Sequence, residues 1–354
     1  MEFNLKLLKQ ICEIPGAPGR EDKIRDFIHE QIKSLIKAKK IDKNDVYVDN
    51  IGNLHVIKRG KAKNPKKLMS AAHLDEIAFI VRHIDEQGFI RFTPLGGFDP
   101  KTLTAQRVIV HGKKDIIGLM GTKPIHIMEP AEREKAVKIT DFVIDVGLPK
   151  EEVEKIVSIG DVVTRERDLV EVGNYVSTKS LDNRVAVYIL LETLRYLDTH
   201  EYDFYAVFTV QEEVGLRGSQ VATHLINPDF AINIDTTIAY DTPGAAEHEK
   251  CTQLGKGVAI KIMDSSVICD ARMVEFMKKT AEKHNIPWQP EILVAGGTDT
   301  ASMQRFGKHG AIVGAISVPT RYIHSTIETV SKTDVLHSIQ LLKYCIEEIH
   351  TYKF

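Results

Sequence analysis

The sequence predicts an α/β protein: an α/β/α sandwich around a mixed central sheet, interrupted by an inserted, mostly-β domain. Three observations predict it. Strand-like and helix-like segments alternate from residue 172 to the end, the pattern of a sheet covered by helices on both faces. The same texture fills residues 1–76. Between 77 and 171 it gives way to short β-like runs with turn signals and little helical periodicity. The expected organisation is a discontinuous domain, 1–76 with 172–354, and an insertion at 77–171.

Residues 20–38, REDKIRDFIHEQIKSLIKA, set Ile24, Phe27, Ile28, Ile32 and Ile36 at helical spacing. DVYVDNIGNLHVIK (45–58) reads as two strands around a turn at Gly52-Asn53. KKLMSAAHLDE (66–76) reads as a buried strand ending in polar residues. The insertion supplies IAFIVRHI, FIRFTP, QRVIVHG, DIIGLMG and IGDVVTR, with helical spacing only around 131–138 and 149–157. SLDNRVAVYILLETLRYLD (180–198) is a strong helix with Ser180 or Asp182 near its start. FYAVFTV (204–210) is a strand, GLRGSQVATHLI (215–226) a helix and DFAINID (229–235) a strand. DARMVEFMKKTAEKHN (270–285) is a helix, AIVGAISVPT (311–320) a strand, and KTDVLHSIQLLKYCIEEIHTY (332–352) a closing helix.

The chain of 354 residues is long enough for one large domain or two with real cores. With 43% hydrophobic and 27% charged residues it has an ordinary globular composition. A net charge of −2 argues against a general nucleic-acid binder. No stretch approaches the ~20 apolar residues of a membrane helix. The start, MEFNLKLLKQIC, lacks the apolar core of a secretory leader. Cys12, Cys251, Cys269 and Cys345 form no CxxC pair, so reduced thiols in the cytoplasm are expected.

Polar residues collect where the predicted strands end. His73 and Asp75 follow KLMSAA, Glu212 and Glu213 follow FYAVFTV, Asp235 follows FAINI, and His324 comes after AISVPTRYI. Asp182 stands at a helix start. Ligand sites in open α/β sheets form at the carboxyl ends of the strands. Two imidazoles with several carboxylates suit zinc, cobalt or manganese better than calcium or magnesium. Each residue also has an ordinary reading: Asp182 as a helix N-cap, Asp235 as a turn cap, Asp75 as an ion-pair partner, the glutamates as an exposed loop pair. Their convergence on one end of one sheet favours a site. Gly215 and Gly218 then let the chain turn away from it.

At these residues the sequence resembles the M42 family of metallo-aminopeptidases. The match runs in order through AAHLDEIAFIV, LGGFDP, TKPIH, SLDNRV, VQEEVGLRGS, NIDTTIAYDTPG, AGGTDTAS and VPTRYIHS. The resemblance implies two divalent ions, zinc or cobalt, with Asp182 between them. His73 and Asp235 would complete one ion's protein ligands, Glu213 and His324 the other's. Asp75 would accept the free N–H of His73, and Glu212 would be the general base for a water held between the ions. Gly297, Thr298, Asp299 and Arg321 would line the substrate pocket; Thr298, Asp299 and Arg321 read equally well as turn and salt-bridge residues. The resemblance further implies short peptide substrates, a β-rich dimerisation domain and a homo-oligomer, a tetrahedral dodecamer. Ala78, the STKS before Asp182 and Ser219 depart from the family pattern without removing a ligand.

Two alternatives stand beside this. A glycoside hydrolase could use the carboxylate pair, but adjacent glutamates cannot readily flank one bond from opposite sides, and the histidines would have no role. A metal-stabilised assembly protein would have no catalysis.

Overall fold

The computed structural model describes residues 1–353. The chain opens with helices α1 (Leu5–Glu13) and α2 (Asp22–Lys37) and strands β1 (Val46–Val48), β2 (Leu54–Lys58) and β3 (Lys67–His73). Next come β4 (Ala78–Ile84), β5 (Ile90–Leu95), β6 (Arg107–His111), β7 (Asp115–Gly121), the short α3 (Pro130–Arg133), β8 (Val143–Asp145), α4 (Lys150–Ile156) and β9 (Val162–Arg165). Then follow β10 (Val170–Val172), β11 (Tyr175–Thr178), α5 (Leu181–Tyr196), β12 (Asp203–Thr209), α6 (Arg217–Ile226) and β13 (Phe230–Ile238). The chain ends through β14 (Val258–Met263), α7 (Ala271–Lys283), β15 (Trp288–Ile292), α8 (Asp299–Arg305), β16 (Ile312–Arg321), β17 (Glu328–Ser331) and α9 (Lys332–Glu348).

These strands form two separate sheets. One has 11 strands in the order β1-β2-β12-β3-β13-β16-β17-β11-β10, with β14 pairing β16 and β15 pairing β14. Its centre, β12-β3-β13-β16, is parallel, and the strands flanking it pair antiparallel. The other sheet closes as the antiparallel barrel β4-β5-β8-β7-β6-β9. The fold is thus mixed α/β with a separate β barrel. The barrel strands lie between Ala78 and Arg165, and β10 already pairs with β11 in the large sheet.

Burial follows the strand period of two. On β12, Phe204, Ala206 and Phe208 enter the larger core, while Tyr205 and Val207 enter the core on the opposite face. Leu68 and Ala72 of β3 divide from Met69 and Ala71 in the same way. The second face is covered by Ala222 and Ile226 of α6 with Ala301 and Met303 of α8. On the first face, α5 is buried on every side from Leu181 to Leu194. Its run VAVYILL is apolar all round, which suits a helix enclosed by sheet and helices. The barrel has its own core, including Phe79, Val81, Val108, Val110, Ile144 and Val163.

Several elements lie outside the segments read from sequence: α1, α8, β8, β10, β11, β14, β15 and β17. Strands β10, β11 and β17 are 3–4 residues long, too short to display a period. Leu7, Leu8, Ile11 and Cys12 of α1 do have helical spacing and are buried, so that helix was readable. Among the described residues, no helix is long and apolar enough to cross a membrane.

Candidate metal centre

The central parallel strands deliver the polar residues to one place. His73 is the last residue of β3 and lies in register with Thr209, the last of β12. Glu212 and Glu213 follow in the turn after β12. Asp235 sits within β13 opposite Ser317 of β16, and His324 lies just beyond β16. Asp182 is held at the start of α5. It and Asn183 have non-helical angles, so the regular helix begins after them. Asp182 is therefore not the cap of a continuous helix. Gly215 takes φ 125°. A Cβ on Gly218 would approach Val210 N to 2.6 Å, so that chain crossing requires glycine.

Asp182 faces both histidines. Its Oδ1 lies 3.3 Å from His73 Nε2 and its Oδ2 lies 3.2 Å from His324 Nε2. His73 Nε2 is also 3.7 Å from Glu212 Oε2 and 3.9 Å from Asp235 Oδ1. His324 Nε2 is 3.7 Å from Glu213 Oε1, which is buried without a hydrogen-bond partner. Ligand atoms of His73, Glu212 and Asp235 lie within 4.8 Å of one another, as do those of His73, Asp182 and Glu213.

Both rings are oriented from behind. His73 Nδ1 donates to the backbone carbonyl of Asp75 at 3.1 Å, with Asp75 Oδ1 at 3.4 Å. His324 Nδ1 donates to the carbonyl of Gly97, in the barrel, at 2.9 Å. A carbonyl can only accept, so each Nδ1 carries a hydrogen and each Nε2 is turned toward the carboxylates. The carboxylate of Asp75 is mainly engaged elsewhere. Its two oxygens each accept one backbone N–H, from Glu212 and from Glu213, at 3.0 Å.

Burial raises the carboxylates unevenly. It pushes Glu213 and Asp235 up to about 8, Asp182 adding repulsion in both cases. It lifts Glu212 well above the usual carboxylate range, with Glu213 adding to the effect. For Asp182 burial is outweighed by hydrogen bonds from His324 and His73, which hold it far below that range. Burial disfavours charge on His324, yet Asp182 and Glu213 raise it to about 10. Four carboxylates crowded away from water call for positive charge, and divalent cations supply it compactly. Two imidazoles and four carboxylates fit borderline metals such as zinc or cobalt.

The site opens into a cavity of about 460 Å³. Gly297 and Thr298 line it together with Leu216, Ile238, Leu293 and Ile323. Thr298 Oγ1 also donates to Asp264 at 3.1 Å. The other two expected pocket residues have partners outside the cavity. Asp299 is buried and accepts from Thr209 Oγ1 at 2.7 Å. Arg321 pairs with Asp241 through Nε at 2.5 Å and Nη2 at 2.8 Å.

Sequence reading missed Glu328. It is fully buried, and its oxygens accept the backbone N–H groups of Asp182 and His324. The available signal was a glutamate inside the strand-like run TIETVS. Backbone geometry was also illegible: Ser180, Gln211, Leu216, Tyr322 and His324 all take φ between 55° and 60°. Such residues cluster at functional sites, where surrounding structure holds the strain.

Residues 52–341 match the family described as M42 glutamyl aminopeptidase. The chain is 39% identical over 337 residues to a putative aminopeptidase of Acetivibrio thermocellus, covering 95% of this chain and 96% of that protein. Among solved structures it resembles aminopeptidase APDkam598 of Desulfurococcus kamchatkensis, at 38% identity and TM-score 0.92, over 99% of this chain and 97% of the other. It also resembles Pyrococcus horikoshii TET1 peptidase, described as assembling into a tetrahedron or a large octahedral shell. That likeness has 32% identity and TM-score 0.85, over 97% of this chain and 99% of the other.

Proposed function

The chain belongs to the M42 peptidase family and is an aminopeptidase, a hydrolase acting on the N-terminal residues of peptides, and from that premise we propose that it works with two divalent cations and with Glu212 as general base. One observation carries the reading. Asp182 offers its two oxygens to two different histidines, at 3.3 and 3.2 Å, as a carboxylate shared by two ions would. His73 and Asp235 would then hold one ion with Asp182, and Glu213 and His324 the other. Three protein ligands for each ion leave room for water or substrate. That count uses five of the six side chains and leaves Glu212 unligated.

When bound, zinc or cobalt ions supply Lewis acidity, which acidifies a water and polarises the scissile carbonyl. Glu212 takes the proton of the attacking water and returns it to the leaving amine. Both transfers need only a carboxylate that is not consumed as a ligand and lies within hydrogen-bond reach of the water. Gly297 and Thr298, with the apolar wall of Leu216, Ile238, Leu293 and Ile323, receive the side chain of the N-terminal residue.

Short peptides are the substrates of this reading, and the protein acts as a homo-oligomer, a tetrahedral dodecamer. The tetrahedron of the Pyrococcus horikoshii relative supports the assembly. So does the exposure of Ile117, Leu119, Ile125 and Ile127 on the barrel domain, 53–66%, since removing apolar side chains from water favours association. The barrel domain is the dimerisation module. Four free cysteines, three of them buried, suit the reducing cytoplasm. The glycoside-hydrolase alternative leaves His73 and His324 without a role. The test is turnover of a panel of aminoacyl-p-nitroanilides by metal-stripped protein with zinc, cobalt or manganese added back. Release of the amine with at least one metal is expected. No turnover under any metal contradicts the proposal.

A further inference from the structure

Glu328 opens β17 and has no exposed surface. Burying a carboxylate is costly unless its oxygens and charge are answered. Here Oε2 accepts the N–H of Asp182 at 3.0 Å, and Oε1 accepts the N–H of His324 at 2.9 Å. The two residues it binds are far apart in sequence and meet again through their side chains, Asp182 Oδ2 lying 3.2 Å from His324 Nε2. A closed ring results, in which one carboxylate fixes two backbones whose side chains face one point. Left-handed backbone lies at or near both: His324 has φ 60°, and Ser180, two residues before Asp182, has φ 59°.

The charge of Glu328 is met only in part, from the barrel: burial pushes its carboxyl up to about 7, and Arg165 draws it back down. Arg165, the last residue of β9, is buried; its Nη1 lies 4.0 Å from Glu328 Oε1 and donates to the carbonyl of Ser325 at 2.5 Å. The loop carrying His324 is therefore gripped by the barrel domain at Ser325 and by Glu328 at its own N–H.

We propose that Glu328 is a positioning residue of the metal centre, presenting Asp182 and His324 to a shared cation at a fixed separation. Only a carboxylate suits this role. Two N–H donors need two acceptor oxygens, and a glutamine amide would turn its own NH₂ toward one of them. A purely structural role, filling two buried hydrogen-bonding needs, would lower stability and leave ion binding unchanged.

The inference rests on the metal-centre reading, and the experiment separates the two. Cobalt is titrated into metal-free wild type, Glu328→Gln and Glu328→Asp, following the visible ligand-field absorption. Wild type is expected to take up cobalt. Both variants are expected to bind it on the order of 10–100-fold more weakly, with a shifted absorption band. A folded variant with wild-type affinity and spectrum overturns the inference. Wild type that takes up no cobalt overturns the metal reading and this inference with it. One measurement needs no variant: amide exchange in metal-free wild type. Protection of the Asp182 and His324 amides is expected, and free exchange overturns the clamp.

Discussion

Asp75 holds Glu212 by its backbone: Oδ1 accepts the Glu212 N–H at 3.0 Å, while Oδ2 accepts the N–H of Glu213 at the same distance. Two like-charged neighbours are thus fixed through their peptide groups, and their side chains are free to diverge. Asp75→Asn replaces one acceptor by a donor aimed at a donor. We expect a fall in kcat on the order of 10–100-fold and weaker metal retention, read by steady-state kinetics beside metal titration. A variant with wild-type values in both would remove Asp75 from the supporting framework.

Glu213 and His324 are expected to behave as ligands. Glu213→Gln and His324→Ala should each lose bound metal in elemental analysis after dialysis, with activity falling in step. Excess cobalt should restore part of it. Full metal content in dialysed Glu213→Gln would move the ligand role elsewhere in the cluster.

Stripping metal with EDTA should abolish peptide turnover and lower the unfolding temperature, since any ligand that binds only the folded state stabilises it. At a free metal concentration of 100 Kd the gain for one site is about 2.7 kcal/mol. Calorimetry with and without zinc or cobalt measures it. Glucan hydrolysis that survives stripping would favour the glycoside-hydrolase alternative.

Helix α5 carries Asp182 and is enclosed by the large core. Leu190→Ala should cost about 2–5 kcal/mol by leaving a cavity there. Urea unfolding should show a lower midpoint with an unchanged slope. A loss under about 1 kcal/mol, close to the change expected of a surface residue, would mean that α5 is not packed as described.

How much was legible can be followed residue by residue. The apolar runs of β3 and β12 and the all-round apolarity of α5 are strong local signals, and they placed His73 and Asp182. The alternation of strand and helix announced a mixed α/β fold and the end of the sheet at which ligands gather. The glutamate in TIETVS is a visible oddity, but its role is not legible, because its partners, Asp182 and His324, lie on different segments, and only folding brings both N–H groups to one carboxylate. The carbonyl of Gly97 was invisible for a related reason: backbone groups have no sequence signature. Arg321 shows the opposite effect. In sequence it reads equally as a pocket or a salt-bridge residue, and folding shows that Asp241, 80 residues away in sequence, pairs with it.

The central claim is a division of labour within one dipeptide: Glu213 binds an ion, and Glu212 moves a proton. Glu212→Gln tests it most directly, with metal content and kcat measured on the same preparation. The account predicts that both ions stay bound while kcat falls by about 10² or more. Loss of an ion from that variant, or undiminished turnover with both ions present, would contradict it.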